Sequence, residues 1–456
     1  MPVQEGRLER TVTLWPIVLF GLAYITPFIV LTTFGVFSEV AEGHLPASFV
    51  MGGVAMIFTA LSYGKMAREF PVTGSAYTYS RKSIDDRVGF MVGWTLLLDY
   101  FFLPMVVWLI GAVYLTDQFP SVPTWVFLVL FIGLTTLLNA LGIKFTTRVN
   151  LGLIAFQMVV LVAFLLLGIK YLFGVDTGID FAAPFYSSDA SFSAISAGAA
   201  LTAYCFIGFD AVSTFAEEAI EPRRTIPRAI VLTASLAATI FIIVSYIMQL
   251  VHPGGIFENA ETAPKDMAVM IGGDVFGSIF LATVILAQFT AGVPIQAAGA
   301  RLLFAMGRDK VLPNKFFAYL LPRFRTPVLN LALMGAVGFL ALFSTVANAT
   351  SFINFGALTG FAFVNISVIV FYFRFRGSRS MNPLGWVVAP IIGLAVCLWL
   401  TSSLDWKALT LGGVWVAIGI VYLTYLTSGF KKAPPEMDFS EEEELMAPDE
   451  PAPTTA

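Results

Sequence analysis

Histidine and cysteine are nearly absent from this chain, and charge is scarce. The two cysteines, Cys205 and Cys397, both sit inside apolar segments, which excludes a disulfide framework and a CxxC metal site. His44 and His252 stand in separate loops with no HExxH-type spacing, so neither a metal nor another cofactor is expected. Charged residues make up 12% of the 456 residues against 57% apolar, with a mean hydropathy of +0.82, far more apolar than a water-soluble domain of this size requires. The sequence has no GxSxG, no His and Glu pair at metal spacing and no phosphate-cradling glycine run, so it does not read as an enzyme. The net charge of −4 comes from the acidic C-terminal tail, and no nucleic-acid partner is expected.

What the chain does have is long apolar runs. Segments of roughly 20 apolar residues are long enough to cross a hydrocarbon core of about 30 Å. Twelve candidates occur, at approximately 13–38, 46–66, 89–116, 123–142, 149–172, 193–219, 227–251, 273–304, 327–346, 350–374, 385–403 and 407–428. The first lacks the short apolar core and small-residue cleavage site of a signal peptide and reads as a retained span. All of the Lys and Arg residues except Lys170, Lys265 and Lys407 fall in alternate gaps between these segments or in the terminal stretches. The positive-inside rule then places both termini in the cytoplasm. Residues 1–12 read as a cytoplasmic N-terminal segment, 13–428 as the membrane domain and 429–456, rich in Pro and Glu, as a disordered acidic tail.

Two segments carry interruptions. In the first, Gly21 to Pro27 brings a Gly, a Thr and a Pro together in mid-span; in the sixth, Gly208 directly precedes Phe209 and the ionisable Asp210. Lipid cannot solvate freed backbone groups, so such breaks persist only where protein, water or ligand does. The breaks lie about five spans apart, and an odd repeat length inverts the second copy. The pattern predicts an inverted repeat, about 13–172 and 193–374, with a broken helix leading each half, and extra helices over 385–428. The simpler alternative is that Gly and Pro only kink these helices, as they commonly do in membranes.

The stretches TLWPIVLFGLAYITPF (13–28), FTALSYGKMAREFPVTGSAYTYSRKSI (58–84), VGFMVGWTLLLDYFFLPM (88–105), GFDAVSTFAEEA (208–219), RTIPRAI (224–230), RLLFAMGRDKVLP (301–313) and INFGALTGFAFVNISV (353–368) resemble the amino acid–polyamine–organocation (APC) transporters, most nearly the bacterial putrescine importers. That resemblance implies an all-α membrane protein of twelve transmembrane helices in a LeuT-like five-plus-five inverted repeat with broken helices 1 and 6. It also implies a bacterial inner membrane and import coupled to protons. Departures bear on the substrate: Thr32 stands where the putrescine importers carry an Asp, and Gln296 where they carry a His. Gln157 stands where some proton-coupled amino acid members carry a Lys.

Ionisable groups in a bilayer cost roughly 2.5–3.5 kcal/mol on insertion scales, so each is a functional hypothesis. Asp99 lies about 16 Å from the cytoplasmic edge of the third segment at 1.5 Å per residue, near the midplane, and can accept an amine or a transported proton. The alternative is a carboxylate held by neighbouring backbone or hydroxyl groups. Asp210 can meet a substrate ammonium or cap the half-helix that follows it. Glu217 and Glu218 are candidates for an inner gate with Arg223, Arg224 or Arg228, or for ordinary interfacial ion pairs. Backbone at Ala23, Tyr24, Ile25, Thr26 and Gly208 is expected to contact substrate, while Tyr100 and Phe209, ahead of Tyr24 and Tyr204, are aromatic candidates for an alkyl ammonium.

The sequence therefore reads as a secondary carrier importing a small amine-bearing metabolite, putrescine or a related amine first, by proton symport. A neutral amino acid permease or exchanger of the same superfamily is the alternative. The expected partners are that small molecule, protons and the lipid bilayer; the oligomeric state stays open. A channel or a sensor built on the same fold is the remaining rival.

Overall fold

A computed structural model describes residues 12–71, 75–142, 147–174, 178–188, 190–216, 218–377 and 381–435. The acidic tail from 436 onward, the first 11 residues and Glu217 lie outside the described residues. The first apolar segment divides into α1 (Leu14–Ile25) and α2 (Ile29–Val40), bent by 49°. Then come α3 (Leu45–Glu69), α4 (Ser75–Ser83), α5 (Asp86–Gln118), α6 (Thr124–Ala140), α7 (Thr147–Phe173) and α8 (Phe192–Phe206). A 3₁₀ run over Phe209–Ala216 follows α8. The second part holds α9 (Pro222–Val251), α10 (Ala263–Arg308), a single turn α11 (Asn314–Phe317), α12 (Val328–Gly338) continued as 3₁₀ over Phe339–Phe343, and α13 (Val346–Phe375). A π turn over Leu384–Val388 leads into α14 (Ala389–Ser402), and α15 (Trp406–Leu426) is last.

The architecture is all-helical, and no strand occurs among the described residues. Nine of the described helices are long and apolar enough to cross a membrane, ten when α1 and α2 count as one span. α6, with 17 residues and about 26 Å of length, and Val328–Phe343 are shorter apolar helices at the places of the fourth and ninth expected segments. Two boundaries differ from the apolar pattern. α10 starts at Ala263, ten residues ahead of the expected apolar segment, since its first turns carry the charged Lys265 and Asp266, and it turns at Gly273 (φ 74°). α4 forms where hydropathy indicates only a loop.

Small residues let the helices approach closely. Gly52 of α3 leaves room for Thr202 of α8, where a methyl group would collide with the hydroxyl. Buried amides then pin helices at fixed heights: Asn365 of α13 accepts from Ser62 at 2.6 Å and donates to Thr59 at 3.1 Å, both on α3. Asn354 of α13 donates to the carbonyls of Ala200 and Leu201 at 2.9 and 3.1 Å, fixing the last turns of α8 next to its break. In an apolar surrounding each such bond has no water to replace it.

One end of the bundle is closed by a lid. Ser38 donates to Gln249 at 2.7 Å, Gln249 donates to the carbonyls of His252 and Gly254, and Thr262 donates to Asp117 at 3.1 Å. Lys265 pairs with the same Asp117, and Glu261 accepts the backbone N–H of Val346 at 3.0 Å. Beneath it α2 is buried continuously from Val30 to Ser38.

Candidate functional site

Both expected interruptions are real breaks in the backbone. α1 stops at Ile25; Thr26 takes a left-handed conformation (φ 51°), Pro27 cannot donate to the preceding turn, and α2 resumes at Ile29. The carbonyls freed there are not all open. The Thr26 hydroxyl donates to the carbonyl of Ala23 at 3.1 Å and approaches that of Tyr24 at 3.4 Å, so the break partly satisfies itself. α8 stops at Phe206, and Gly208 stands at φ 110°, a conformation L side chains rarely adopt. The chain then continues as a 3₁₀ helix rather than the α-helix expected.

The fold brings the two breaks together. A Cβ at Gly208 would collide with the ring of Tyr24, and one at Gly21 would collide with Val212 and Thr233. Tyr24 keeps 43% of its surface exposed and Tyr100 40%, whereas Ile25 is buried. Phe209 is fully buried, with its ring 5.5 Å from Tyr63 and 5.2 Å from Phe361. Tyr204 is buried in the last turn of α8.

Asp99 and Asp210 lie in the same region, within electrostatic range of one another. Their surroundings differ. Asp210 opens the 3₁₀ run, where its carboxylate accepts the Ser75 hydroxyl at 3.2 Å. Asp99 is 9% exposed and faces α13 at Gly356, whose missing side chain makes room for it and for Leu98. Its Oδ1 is buried and has no hydrogen-bond partner among the described residues. Nor does either carboxylate form an ion pair among those residues. A buried carboxylate left in this state costs several kcal/mol, a cost that an arriving ammonium or proton removes.

The remaining candidates fall elsewhere. On the rim near the start of α9, Arg224 pairs with Glu221 at 3.4 Å and not with Glu218, whose backbone carbonyl accepts the N–H of Val12. Thr32 uses its hydroxyl on the Ile29 carbonyl, while its own carbonyl accepts the Tyr114 hydroxyl. Gln296 joins three helices, donating to Thr136 at 2.7 Å and to the Leu331 carbonyl while accepting from Asn139 at 3.2 Å. Gln157 of α7 reaches Thr290 of α10 at 3.5 Å.

Sequence reasoning missed four hydroxyls beside the second break: Tyr63 of α3, Ser75 and Tyr79 of α4, and Ser213 of the 3₁₀ run. The signal available was the spacing of Ser75, Tyr79 and Ser83 at i, i+4 and i+8 in a run that hydropathy alone assigns to a loop.

The amino acid permease family profile matches residues 17–427, almost the whole described chain. The chain belongs to the amino acid permease family. This permease is a multi-pass membrane protein and a transporter rather than an enzyme. It is 37% identical to the low-affinity putrescine importer PlaP of Escherichia coli (strain K12) over 441 residues, covering 94% of this chain and 96% of that one. It is 27% identical to the methylthioribose transporter and to the branched-chain amino acid permease BcaP of Bacillus subtilis (strain 168), in each case covering 92% of this chain and 94% of the relative.

Proposed function

We propose that this permease imports putrescine or a closely related amine by proton symport, with Asp99 receiving a substrate ammonium and Asp210 carrying the coupling proton. The observation that carries the reading is the buried Oδ1 of Asp99, close to a second carboxylate, with no hydrogen-bond partner for that oxygen and no cation paired with either group among the described residues. Two uncompensated carboxylates suit a cargo of net positive charge, whether two ammonium groups or one ammonium and a proton. A neutral amino acid adds a carboxylate of its own, for which the described residues around Asp99 and Asp210 offer no cation. The 37% identity to a putrescine importer supports the amine, against 27% to the branched-chain permease. Of the two departures from the putrescine importers, Thr32 spends its hydroxyl on the Ile29 carbonyl of its own helix and Gln296 is held in hydrogen bonds between helices, so the polar side chains found there serve packing.

The architecture we propose is twelve spans, the ten long ones together with α6 and Val328–Phe343. In this reading 13–172 and 193–374 form the inverted repeats, 385–428 adds two helices, and both termini face the cytoplasm of a bacterial inner membrane. The lid over Asp117 and Lys265 then closes the outer end. Tyr24, Tyr100 and Phe209 enclose the alkyl chain, and the backbone from Ala23 to Thr26 and at Gly208 orients it. Glu218 belongs to the inner rim, and Glu217 lies outside the described residues.

The test is uptake into vesicles containing the purified protein. Labelled putrescine should accumulate when an inward proton gradient is imposed and should stop accumulating when an ionophore collapses it. Gradient-driven accumulation of leucine without putrescine would replace this reading with that of an amino acid permease.

A further inference from the structure

The four hydroxyls beside the second break surround Asp210 from three sides. Tyr63, Tyr79 and Ser213 are each 0–1% exposed, yet the hydroxyl of each lacks a hydrogen-bond partner among the described residues. Tyr63 neighbours Ser75, which bonds Asp210, and Tyr79 neighbours Ser213, while the two tyrosine rings meet edge to face at 5.9 Å. Buried hydroxyls left unbonded are costly, and ordered water is the usual means of satisfying such a group.

From this cluster the polar line continues along α4. Ser75, Tyr79 and Ser83 share one face of the helix at i, i+4 and i+8, a rise of about 12 Å from Ser75 to Ser83. Ser80, one residue along from Tyr79, meets Ser367 of α13 at 3.2 Å, and Ser83 reaches Met66 at 3.6 Å. The far end carries the cytoplasmic basic residues of the charge pattern: Arg81 is held by Asp86 at 2.9 Å, and Lys82 lies over the Phe70 ring.

Resting on the proton symport proposed above, we infer that Tyr63, Ser75, Tyr79 and Ser213, with water bound among them, form the path by which the coupling proton leaves Asp210 for the cytoplasm along α4. Protonated Asp210 gives its proton to a water held by Ser75 and Tyr63. Each hydroxyl on the way accepts a proton on its oxygen and passes on its own, so all end unchanged and Asp210 is left a carboxylate. The other titratable groups facing this cluster are Asp99 and Tyr100 of α5, which lie on the substrate side.

Net uptake requires the proton to be released inside, whereas exchange of internal for external substrate does not. Tyr79→Phe keeps the ring packed on Tyr63 and removes only the hydroxyl. In vesicles with an entrapped pH dye, we expect this variant to lower both putrescine accumulation and putrescine-driven proton influx by about tenfold while leaving putrescine exchange close to native. Ser213→Ala should behave alike and more mildly. Coupled influx unchanged in both Tyr79→Phe and the Tyr63→Phe, Tyr79→Phe double variant would overturn the path alone, as would equal loss of exchange and accumulation. Putrescine uptake by the native protein without any proton influx would overturn the symport reading and the path together.

Discussion

The two carboxylates of the site are the same residue type within electrostatic range of one another, but the chain surrounds them differently. Asp210 opens a 3₁₀ turn, where the Ser75 hydroxyl donates to its carboxylate. Asp99 sits within the 33-residue α5, where the backbone amides are already used by the helix, and it meets a glycine on α13 instead of a donor. In the function proposed above, the carboxylate with a hydroxyl donor waits for a proton, while the bare one gains most from an ammonium.

The difference can be broken from either side. The largest effect is expected for Asp99→Asn, which should reduce gradient-driven putrescine uptake by roughly 100-fold, the scale of a charge-assisted hydrogen bond lost. Unchanged uptake in that variant would remove Asp99 from the site. Next comes Gly208→Ala: the positive φ and the collision with Tyr24 should lower stability by about 1–3 kcal/mol and slow transport, read as an earlier thermal midpoint in detergent and a reduced uptake rate. Asp210→Asn should leave putrescine affinity within a few-fold of native but flatten the dependence of uptake on external pH, since the group that carries the proton is gone. A steep pH dependence surviving in that variant would move the proton elsewhere. Ser75→Ala should have the smallest effect, about 1 kcal/mol on the hydrogen bond it removes, visible as a modest shift of the same pH profile.

A second contrast runs along the first broken segment. α2 is packed on all sides by α8, α9 and α10 under the lid, whereas α1 rests chiefly on α9 and the 3₁₀ run and leaves Trp15, Leu19, Phe20 and Tyr24 exposed. The break at Thr26 is where the fully packed half gives way to the more exposed one.

The breaks were legible because their causes are local: Pro27 and the Gly208–Asp210 sequence state them directly. The surroundings of the two carboxylates were not legible. α4 is too polar for a hydropathy window, so Ser75 and Tyr79 stayed in a loop, although their spacing is helical. Tyr63 reads as one aromatic among 65 in this chain, and only its contacts with Phe209 and Tyr79 single it out. The self-capping by Thr26 depends on a left-handed turn that no residue in ITPF requires. The sequence offered Glu217 and Glu218 as partners for Arg223, Arg224 or Arg228, and among the described residues Arg224 pairs with Glu221, three residues away on the turn that opens α9.

The most direct measurement is equilibrium binding of labelled putrescine to the purified native protein and to Asp99→Asn, with unlabelled leucine as competitor. The account predicts saturable binding to the native protein, loss of that binding in Asp99→Asn and no displacement by leucine. Equal binding to both proteins, or displacement by leucine at putrescine-like concentrations, would contradict it.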